Sequence, residues 1–455
     1  MKSEHHHVAR VSADDLMSLA AERGSTPMQV GAVLMLDPAA SVQECKVADA
    51  LIKRIQAVPR LRQRLVKVPL GCGRPVWVDD PAFTMSNHLS VVQCTSTCSE
   101  SAVLAIAAEV LGSRLPRDRA LWAATLVTDN DSRGVALVVV FHHVLADGMG
   151  GLAVLAALVD GADIPGDVSF PRPMPALRWL AVDAATDRLR SIAALPASLG
   201  RLRGATLALR PVLGRGLARS SLNKPTGPRR QLALVRTSLS QVHTAARAHQ
   251  ATVNDATLAA IAAALHDLLD TRGEHLDEFV ISVPFSARDH ADTHDLGNKS
   301  GVVPVRVPGV GDLGRRLSSL AVTTRSAKHG RRAASNALLG PVFRLLAAAG
   351  LYRRFIDRQR LIHTFVSNLH GPEGRLTLIG CPITSIIPLS ASTGNVTVSF
   401  AVLSYAGELT ITLIADPETC PDLPTLRDAL QSQLHLLTVS ADFHDTAKGP
   451  PAPTG

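Results

Sequence analysis

Two adjacent histidines, His142 and His143, are followed after three residues by the pair Asp147-Gly148. A histidine has an ordinary pKa near about 6.5, which makes it well suited to taking a proton from an alcohol at neutral pH. The residues before the pair, 134–141, form a short apolar run rich in β-branched residues, typical of a strand buried on both faces. The histidines therefore stand where a buried strand is predicted to leave its sheet, a usual place for catalytic residues in layered α/β proteins.

The same residues also fit plainer interpretations. The two histidines could close a strand as core residues, with Asp147-Gly148 as an ordinary turn. Histidine and carboxylate side chains are also common metal ligands. Adjacent residues of a strand point to opposite faces, however, so His142 and His143 are not expected to face one ion. This geometry favours one working histidine and one structural histidine, and it favours catalysis over metal binding.

Further segments form an ordered set along the chain. They lie at 26–33, 119–122, 254–255, 284–288, 297–298 and 367–372. Together with the His-His-x-x-x-Asp-Gly pattern, this set resembles that of the bacterial wax ester synthase/diacylglycerol acyltransferases, a family of CoA-dependent acyltransferases. The resemblance covers most of the chain. Ala120 and Ala123 stand where the family usually has a proline and an acidic residue, which bears on the substrate more than on the reaction.

The resemblance implies O-acyl transfer from a long-chain acyl-CoA to the hydroxyl of diacylglycerol, which yields triacylglycerol. His143 would be the general base that takes the hydroxyl proton, and His142 would pack or hydrogen-bond structurally. The resemblance implies neither a metal nor a resident cofactor. Acyl-CoA is a substrate of the reaction. The alternative acceptors are a fatty alcohol, which would give a wax ester, and a polyketide or glycolipid alcohol. A catalytically inert lipid-binding protein of the same fold is the alternative from another class.

The resemblance also implies supporting roles. Asp147 would organise the loop or pair with an arginine, for which Arg288 is the candidate. Gly148 would permit a sharp entry into the next helix and a close approach of the substrate. Further supporting residues are Asn254, Asp255 and Asn298. Asn254 or Asp255 would also serve as the N-cap of a helix, which is the structural interpretation of that pair.

Predicted strands alternate with predicted helices twice over, which indicates an α/β protein with two domains. The resemblance implies two chloramphenicol-acetyltransferase-like halves, each a mixed sheet with flanking helices, with the active-site tunnel between them. We place the N-terminal half at 1–165, a crossover linker at 166–230, the C-terminal half at 231–440 and a disordered tail at 441–455. Strands are predicted at 28–36, 64–70, 75–79, 120–128, 134–142, 231–237, 278–285, 301–307, 362–368, 376–380, 396–403 and 408–414, and helices at 42–57, 99–112, 149–159, 254–270, 313–327, 334–352 and 423–437.

The net charge of +8 is concentrated in one segment. Residues 171–230 hold twelve Lys or Arg and two Asp among many leucines, so the rest of the chain is close to neutral. Such a basic amphipathic linker suits a membrane surface with anionic lipids, or it is a connection whose arginines are merely solvated. Nucleic acid is a poorer partner, because aromatic residues for base stacking make up only 3% of the chain. The expected partners are acyl-CoA, a lipid alcohol and an anionic membrane or lipid-droplet surface.

The composition favours a cytoplasmic enzyme that associates peripherally with the inner face of the membrane or with lipid droplets. The six cysteines show neither a disulfide framework nor a zinc spacing, which favours reduced thiols. No apolar signal-peptide stretch opens the sequence, and no run reaches the ~18 apolar residues of a membrane-spanning helix. At 455 residues the chain is long enough for two layered domains.

Overall fold

The computed structural model describes residues 8–12, 15–22, 26–40, 43–94, 98–161, 169–193, 217–286, 300–326, 343, 346–347, 349–392 and 394–446. These residues form two six-stranded mixed sheets, one two-stranded sheet and flanking helices. The predicted α/β architecture of two mixed sheets with flanking helices is confirmed. Among the described residues, no helix is both long enough and apolar enough to span a bilayer.

The strands and helices have the following bounds. The strands are β1 (Gln29–Leu36), β2 (Gln63–Val66), β3 (Val76–Asp79), β4 (Leu89–Gln93), β5 (Trp122–Thr128), β6 (Gly134–His142), β7 (Gln231–Ser238), β8 (Glu278–Ser286), β9 (Ser300–Pro308), β10 (Thr364–His370), β11 (Thr377–Leu378), β12 (Cys381–Leu389), β13 (Val398–Tyr405) and β14 (Glu408–Ala415). The helices are α1 (Asp15–Ala21), α2 (Glu44–Ile55), α3 (Glu100–Gly112), α4 (Gly148–Leu158), α5 (Leu177–Ala193), α6 (Leu239–Ala248), α7 (Val253–Thr271), α8 (Leu313–Ser326), α9 (Tyr352–Ile356) and α10 (Leu423–Thr446).

The first sheet has the order β11-β12-β1-β6-β5-β4, and its strand β6 is buried almost throughout. Side chains along β6 alternate between two cores. Val138 and Val140 pack in the core that contains α3, whereas Val139 and Phe141 pack in the core that contains α2 and α4. This two-residue period continues past the strand, so His142 and His143 start from opposite faces of the sheet.

The strand pairing crosses the predicted boundary between the two halves. β12 comes from the C-terminal part of the chain but pairs antiparallel with β1 of the first sheet. Strands β11 and β12 lie within the predicted half 231–440 but belong to the first sheet. In this region the sequence predicted a strand only at 376–380. Pro382 and Pro388 interrupt the run that forms β12, and proline is rare inside sheets. Pro388 is tolerated because β11 is only two residues long and leaves that part of β12 at the edge of the sheet, whereas Pro382 lies opposite Thr377 of β11.

The second sheet has the order β7-β14-β13-β10-β8-β9 and is covered by α7, which is buried along most of its length, and by α10. Strand β13 joins the cores of the molecule. Phe400 and Val402 pack in the core of the second sheet, whereas Leu403 and Tyr405 pack in the core of α2 and α4. The two sheets are therefore connected through β13, and residues of this strand line the cavity of the candidate active site.

Other sequence predictions need correction. Helices α1, α6 and α9 and strand β4 were not predicted, and α5 lies within the predicted linker. Helix α10 extends to Thr446, so the predicted disordered tail is wrong at 441–446, and residues 447–455 lie outside the described part. Most of the helix predicted at 334–352 also lies outside it. Cys94 and Cys98 lie close enough together for a disulfide, with their Cα atoms 5.5 Å apart.

Candidate active site

A cavity of about 640 Å³ is bounded by residues of both sheets. Most of its wall is apolar, with contributions that include Val30, Phe141, Leu155, Val303 and Leu369. A largely apolar cavity with a few convergent polar groups is the usual form of a site for an apolar ligand. The polar side chains on this wall are His143, Asp147, Asn254, Thr324, Ser367, Asn368, His370 and Ser390.

His143 is the first residue after β6, and its half-buried side chain lines the cavity. Its backbone N–H donates a hydrogen bond to the Met28 carbonyl at 2.8 Å, which ties it to the start of β1. Its ring also forms a hydrogen bond with the backbone of its own residue.

The protonation state of His143 follows from its surroundings. Burial lowers the pKa of His143 below its ordinary value, and the hydrogen bond to its own carbonyl and the Asp147 carboxylate oppose that effect. The ring is therefore neutral at pH 7. A neutral histidine has one ring nitrogen that can accept a proton, which suits it to general-base chemistry.

His142 points away from the cavity and is completely buried. Its Nδ1 accepts a hydrogen bond from the Val144 N–H at 2.9 Å, so its Nε2 carries the proton. That Nε2 lies 3.4 Å from Oε2 of Glu22, which also forms an ion pair with Arg117. Burial, with a further contribution from the Arg117 charge, lowers the pKa of His142 to about 3. His142 is thus a neutral, structural residue in this geometry.

Sequence reasoning missed Glu22 and Arg117. Glu22 follows α1, and Arg117 lies between α3 and β5, so neither belongs to an element that the sequence placed near His142. The Glu22 side chain is almost fully buried although it is ionisable. A buried carboxylate normally has a charged or hydrogen-bonded partner, and here Arg117 supplies the charge.

Asp147 is the N-cap of α4. Its side chain accepts a hydrogen bond from the Gly150 N–H at 2.8 Å, and its carbonyl accepts one from the Gly151 N–H at 2.6 Å. The residue is 1% exposed. These bonds join Asp147 to the first turn of α4. Arg288, the predicted arginine partner, lies outside the described residues.

Gly148 lines the cavity and packs closely against β10. It does not adopt a left-handed backbone conformation, so no sharp turn depends on it. A Cβ added at Gly148 would lie 3.2 Å from Cδ2 of Leu369 on β10. One added at Gly151 would lie 2.4 Å from Cζ of Phe141. The two glycines let α4 pack closely against β10 and β6.

Asn254 and Asp255 have different roles, since Asp255 takes part in a helix cap and Asn254 lines the cavity. Thr252 is the N-cap of α7, and it forms a capping box with Asp255, whose carboxylate accepts the Thr252 N–H at 2.9 Å. The prediction that Asn254 or Asp255 is the N-cap is therefore wrong. Asn254 lines the cavity, and its Oδ1 accepts a hydrogen bond from Nδ2 of Asn368 at 3.1 Å. Asn298 lies outside the described residues.

Two substitutions of Asp147 separate the effect of its helix cap on stability from the effect of its negative charge on turnover. Asp147→Asn should keep the helix cap, because asparagine caps as well as aspartate, and should lower kcat because the negative charge beside His143 is lost. Asp147→Ala should lower both kcat and the free energy of unfolding, the latter by about 1 kcal/mol. Ser99→Ala is a matched control, since Ser99 caps α3 by accepting the Ala102 N–H and does not line the cavity. Steady-state kinetics and urea unfolding measure both effects, and an unchanged kcat in both Asp147 variants would remove this residue from the mechanism.

Two family models match the chain. The wax ester synthase/diacylglycerol acyltransferase catalytic domain matches residues 11–257, and the C-terminal domain of the same family matches residues 296–438. Among the relatives is a probable diacylglycerol O-acyltransferase of Mycobacterium tuberculosis, tgs1. It is 27% identical over 420 residues, which cover 89% of this chain and 90% of the relative.

Solved structures agree on the fold. The wax ester synthase/diacylglycerol acyltransferase from Marinobacter aquaeolei VT8 superposes with a TM-score of 0.69 at 20% identity, over 95% of this chain and all of that one. A mutant starter condensation domain of rhizomide synthetase, in complex with C8-CoA and Leu-SNAC, superposes with a TM-score of 0.63 at 17% identity, over 96% and 94% of the two chains. The family models together cover most of the sequence. The chain therefore belongs to the wax ester synthase/diacylglycerol acyltransferase family and is an acyltransferase.

Proposed function

We propose that this acyltransferase moves a long-chain fatty acyl group from acyl-CoA to the hydroxyl of diacylglycerol, with His143 as the general base. The observation that carries the proposal is the position of His143, with its pKa lowered by burial, on the wall of a largely apolar cavity. The name of the mycobacterial relative supports diacylglycerol as the acceptor. The complex of the related condensation domain with C8-CoA supports acyl-CoA as the donor.

In the proposed reaction, a ring nitrogen of His143 takes the proton of the acceptor hydroxyl while the oxygen attacks the thioester carbonyl carbon. The tetrahedral intermediate then collapses, the C–S bond breaks, and the CoA sulfur leaves with the proton that His143 returns. The thioester is already activated, so the proposal uses neither a metal nor a resident cofactor. His142 and Asp147 act as positioning residues, and the hydrogen-bonded amides of Asn254 and Asn368 support the cavity wall.

The acceptor is tested by mixing purified protein with labelled palmitoyl-CoA and a panel of diacylglycerol, hexadecanol and a glycolipid. We expect triacylglycerol as the main labelled product. A predominance of wax ester or acylated glycolipid would keep the mechanism and reassign the acceptor. Binding of palmitoyl-CoA without transfer to any acceptor would instead identify a lipid-binding protein and contradict the proposed function.

We also propose that the enzyme works at an anionic membrane or lipid-droplet surface, because its acceptor is insoluble in water. The sequence placed the membrane-binding segment in the basic linker at 166–230. Much of that linker, including Arg201, Arg203, Arg210 and Arg215, lies outside the described residues. Helix α5 is a described part of the linker.

A further inference from the structure

Exposed apolar side chains are concentrated on helix α5. Of the sixteen large hydrophobic residues that are exposed in the described part of the chain, five lie in this one helix: Leu177, Trp179, Val182, Leu189 and Ile192. Leu189 and Ile192 are 68% and 67% exposed. Leu70, which is fully exposed, lies next to the helix, because Arg188 of α5 donates a hydrogen bond to the Gly71 carbonyl at 3.2 Å.

The helix is held to the protein by its opposite face. Leu180 and Ala184 are buried, and Leu180 packs in a small core with Cys72, Val76 and Val78. Val182, Leu189 and Ile192 follow the spacing of seven and three residues that places side chains on one side of a helix. The apolar stripe is therefore a stable feature of the folded surface, because the anchored face fixes which residues point outward.

The acidic and basic side chains of α5 also differ in their surroundings. Its two acidic residues both bind arginines of the protein body, Asp183 to Arg10 and Asp187 to Arg74. Arg10 additionally donates a hydrogen bond to the Leu180 carbonyl at 2.8 Å. The exposed basic residues of the helix are Arg178, Arg188 and Arg190. The exposed surface of α5 therefore combines apolar and cationic side chains, while its carboxylates are engaged with the protein.

We infer that this surface, made of Trp179, Val182, Leu189 and Ile192 with Arg178, Arg188 and Arg190, seats the enzyme on a lipid bilayer that carries anionic headgroups. The α5 surface fits this partner because arginines bind lipid phosphates while apolar side chains enter the boundary with the acyl chains. Tryptophan is favoured at that depth, since its ring is apolar and its N–H is polar. The inference rests on the proposed lipid acceptor and names the surface that reaches it.

Trp179 provides a direct test, because the other two tryptophans, Trp77 and Trp122, are buried. The full chain is mixed with vesicles of phosphatidylglycerol or of phosphatidylcholine, each with brominated acyl chains that quench tryptophan emission. We expect quenching with phosphatidylglycerol, little with phosphatidylcholine, and loss of the quenched component in Trp179→Phe. Binding without quenching of Trp179 would show that another part of the chain meets the bilayer, or covers this helix, and would overturn the inference.

Charge variants test whether the α5 arginines matter individually or only through the net charge. Arg178, Arg188 and Arg190 are replaced together by glutamine, and Arg247, Arg315 and Arg375, which are exposed outside the linker, are replaced together as the matched control. Each arginine near an anionic surface contributes roughly fivefold to binding, so the α5 triple variant should bind phosphatidylglycerol vesicles on the order of 100-fold more weakly. An equal loss in both triple variants would show that binding reflects diffuse charge alone.

The acyl-transfer assay separates this inference from the proposed function. Transfer from a short-chain acyl-CoA to a water-soluble alcohol should be unchanged in the α5 triple variant, because none of the three arginines lines the cavity. If wild-type protein binds vesicles as expected but transfers no acyl group, the proposed function fails and the membrane surface stands. If wild-type protein transfers acyl groups but does not bind anionic vesicles, the membrane surface fails alone.

Discussion

Replacement of His143 by alanine should lower kcat for acyl transfer by about 10²–10⁴-fold, the usual contribution of a general base. The thioester and the cavity remain in the variant, but no group at that position takes the proton from the attacking hydroxyl. The side chain is half-buried at the cavity wall, so we expect the variant to fold and to unfold near the wild-type temperature. Single-turnover transfer of labelled palmitoyl-CoA, with melting temperature measured alongside, checks both expectations.

His370→Ala is the matched control for this substitution. His370 lines the same cavity, and its Nδ1 shares a hydrogen bond of 2.9 Å with the Ser404 hydroxyl. The proposed reaction assigns it no proton transfer, so its loss should reduce kcat far less than the loss of His143. A larger loss in His370→Ala than in His143→Ala would reverse the assignment of the base.

Replacement of His142 by alanine should have the opposite profile, with a large loss of stability and a smaller loss of turnover. The substitution empties a fully buried site and leaves the Val144 N–H without its acceptor. Together these effects should lower the free energy of unfolding by about 2–4 kcal/mol. His142→Asn should recover part of it, because the asparagine Oδ1 is placed to accept the Val144 N–H. Urea unfolding of the three proteins measures the series, and wild-type stability in His142→Ala would contradict the structural role.

The pH dependence of stability gives a second test of the lowered pKa of buried His142. Its pKa is about 3 in the folded protein, whereas in the unfolded chain it is near about 6.5. As the pH falls below about 6.5, the unfolded chain binds a proton that folded His142 does not bind, so stability is lost at up to about 1.4 kcal/mol per pH unit. The loss continues until the pH approaches the folded pKa. Between pH 6.5 and 5, the wild-type free energy of unfolding should therefore fall more steeply than that of His142→Ala.

The parts of the site that were predictable from the sequence depend on short-range rules. The run at 134–141 predicts a buried strand, and the two-residue period of a strand sends His142 and His143 to different faces. In the structure, His143 lines the cavity and His142 packs beside Glu22. The spacing from His143 to Asp147 likewise allows a turn that ends in a helix cap. Both rules act within about ten residues, so the local sequence is enough to predict the faces of the two histidines and the position of the helix cap.

The parts that were missed depend on contacts between distant residues. Asn254 meets Asn368, which is 114 residues away, and neither residue carries a local signal for the other. Strand β12 joins the first sheet from the far end of the chain, and its prolines hide it from a strand pattern. The cap of α7 is a different case, because its signal is local: Thr252 and Asp255 form the Thr-x-x-Asp pattern of a capping box, in which the threonine is the N-cap.

The pH dependence of kcat/KM is the most direct test of His143 as the general base. Burial lowers the pKa of His143, so the wild-type rate should be constant near neutral pH and should fall only at pH values below about 6.5, as His143 gains a proton. Acyl transfer to a water-soluble alcohol, measured from pH 4.5 to 8, gives the profile without a membrane. The residual activity of His143→Ala should lack this acid limb. An acid limb of the same pKa in His143→Ala would show that another group carries the proton and would contradict the proposed mechanism.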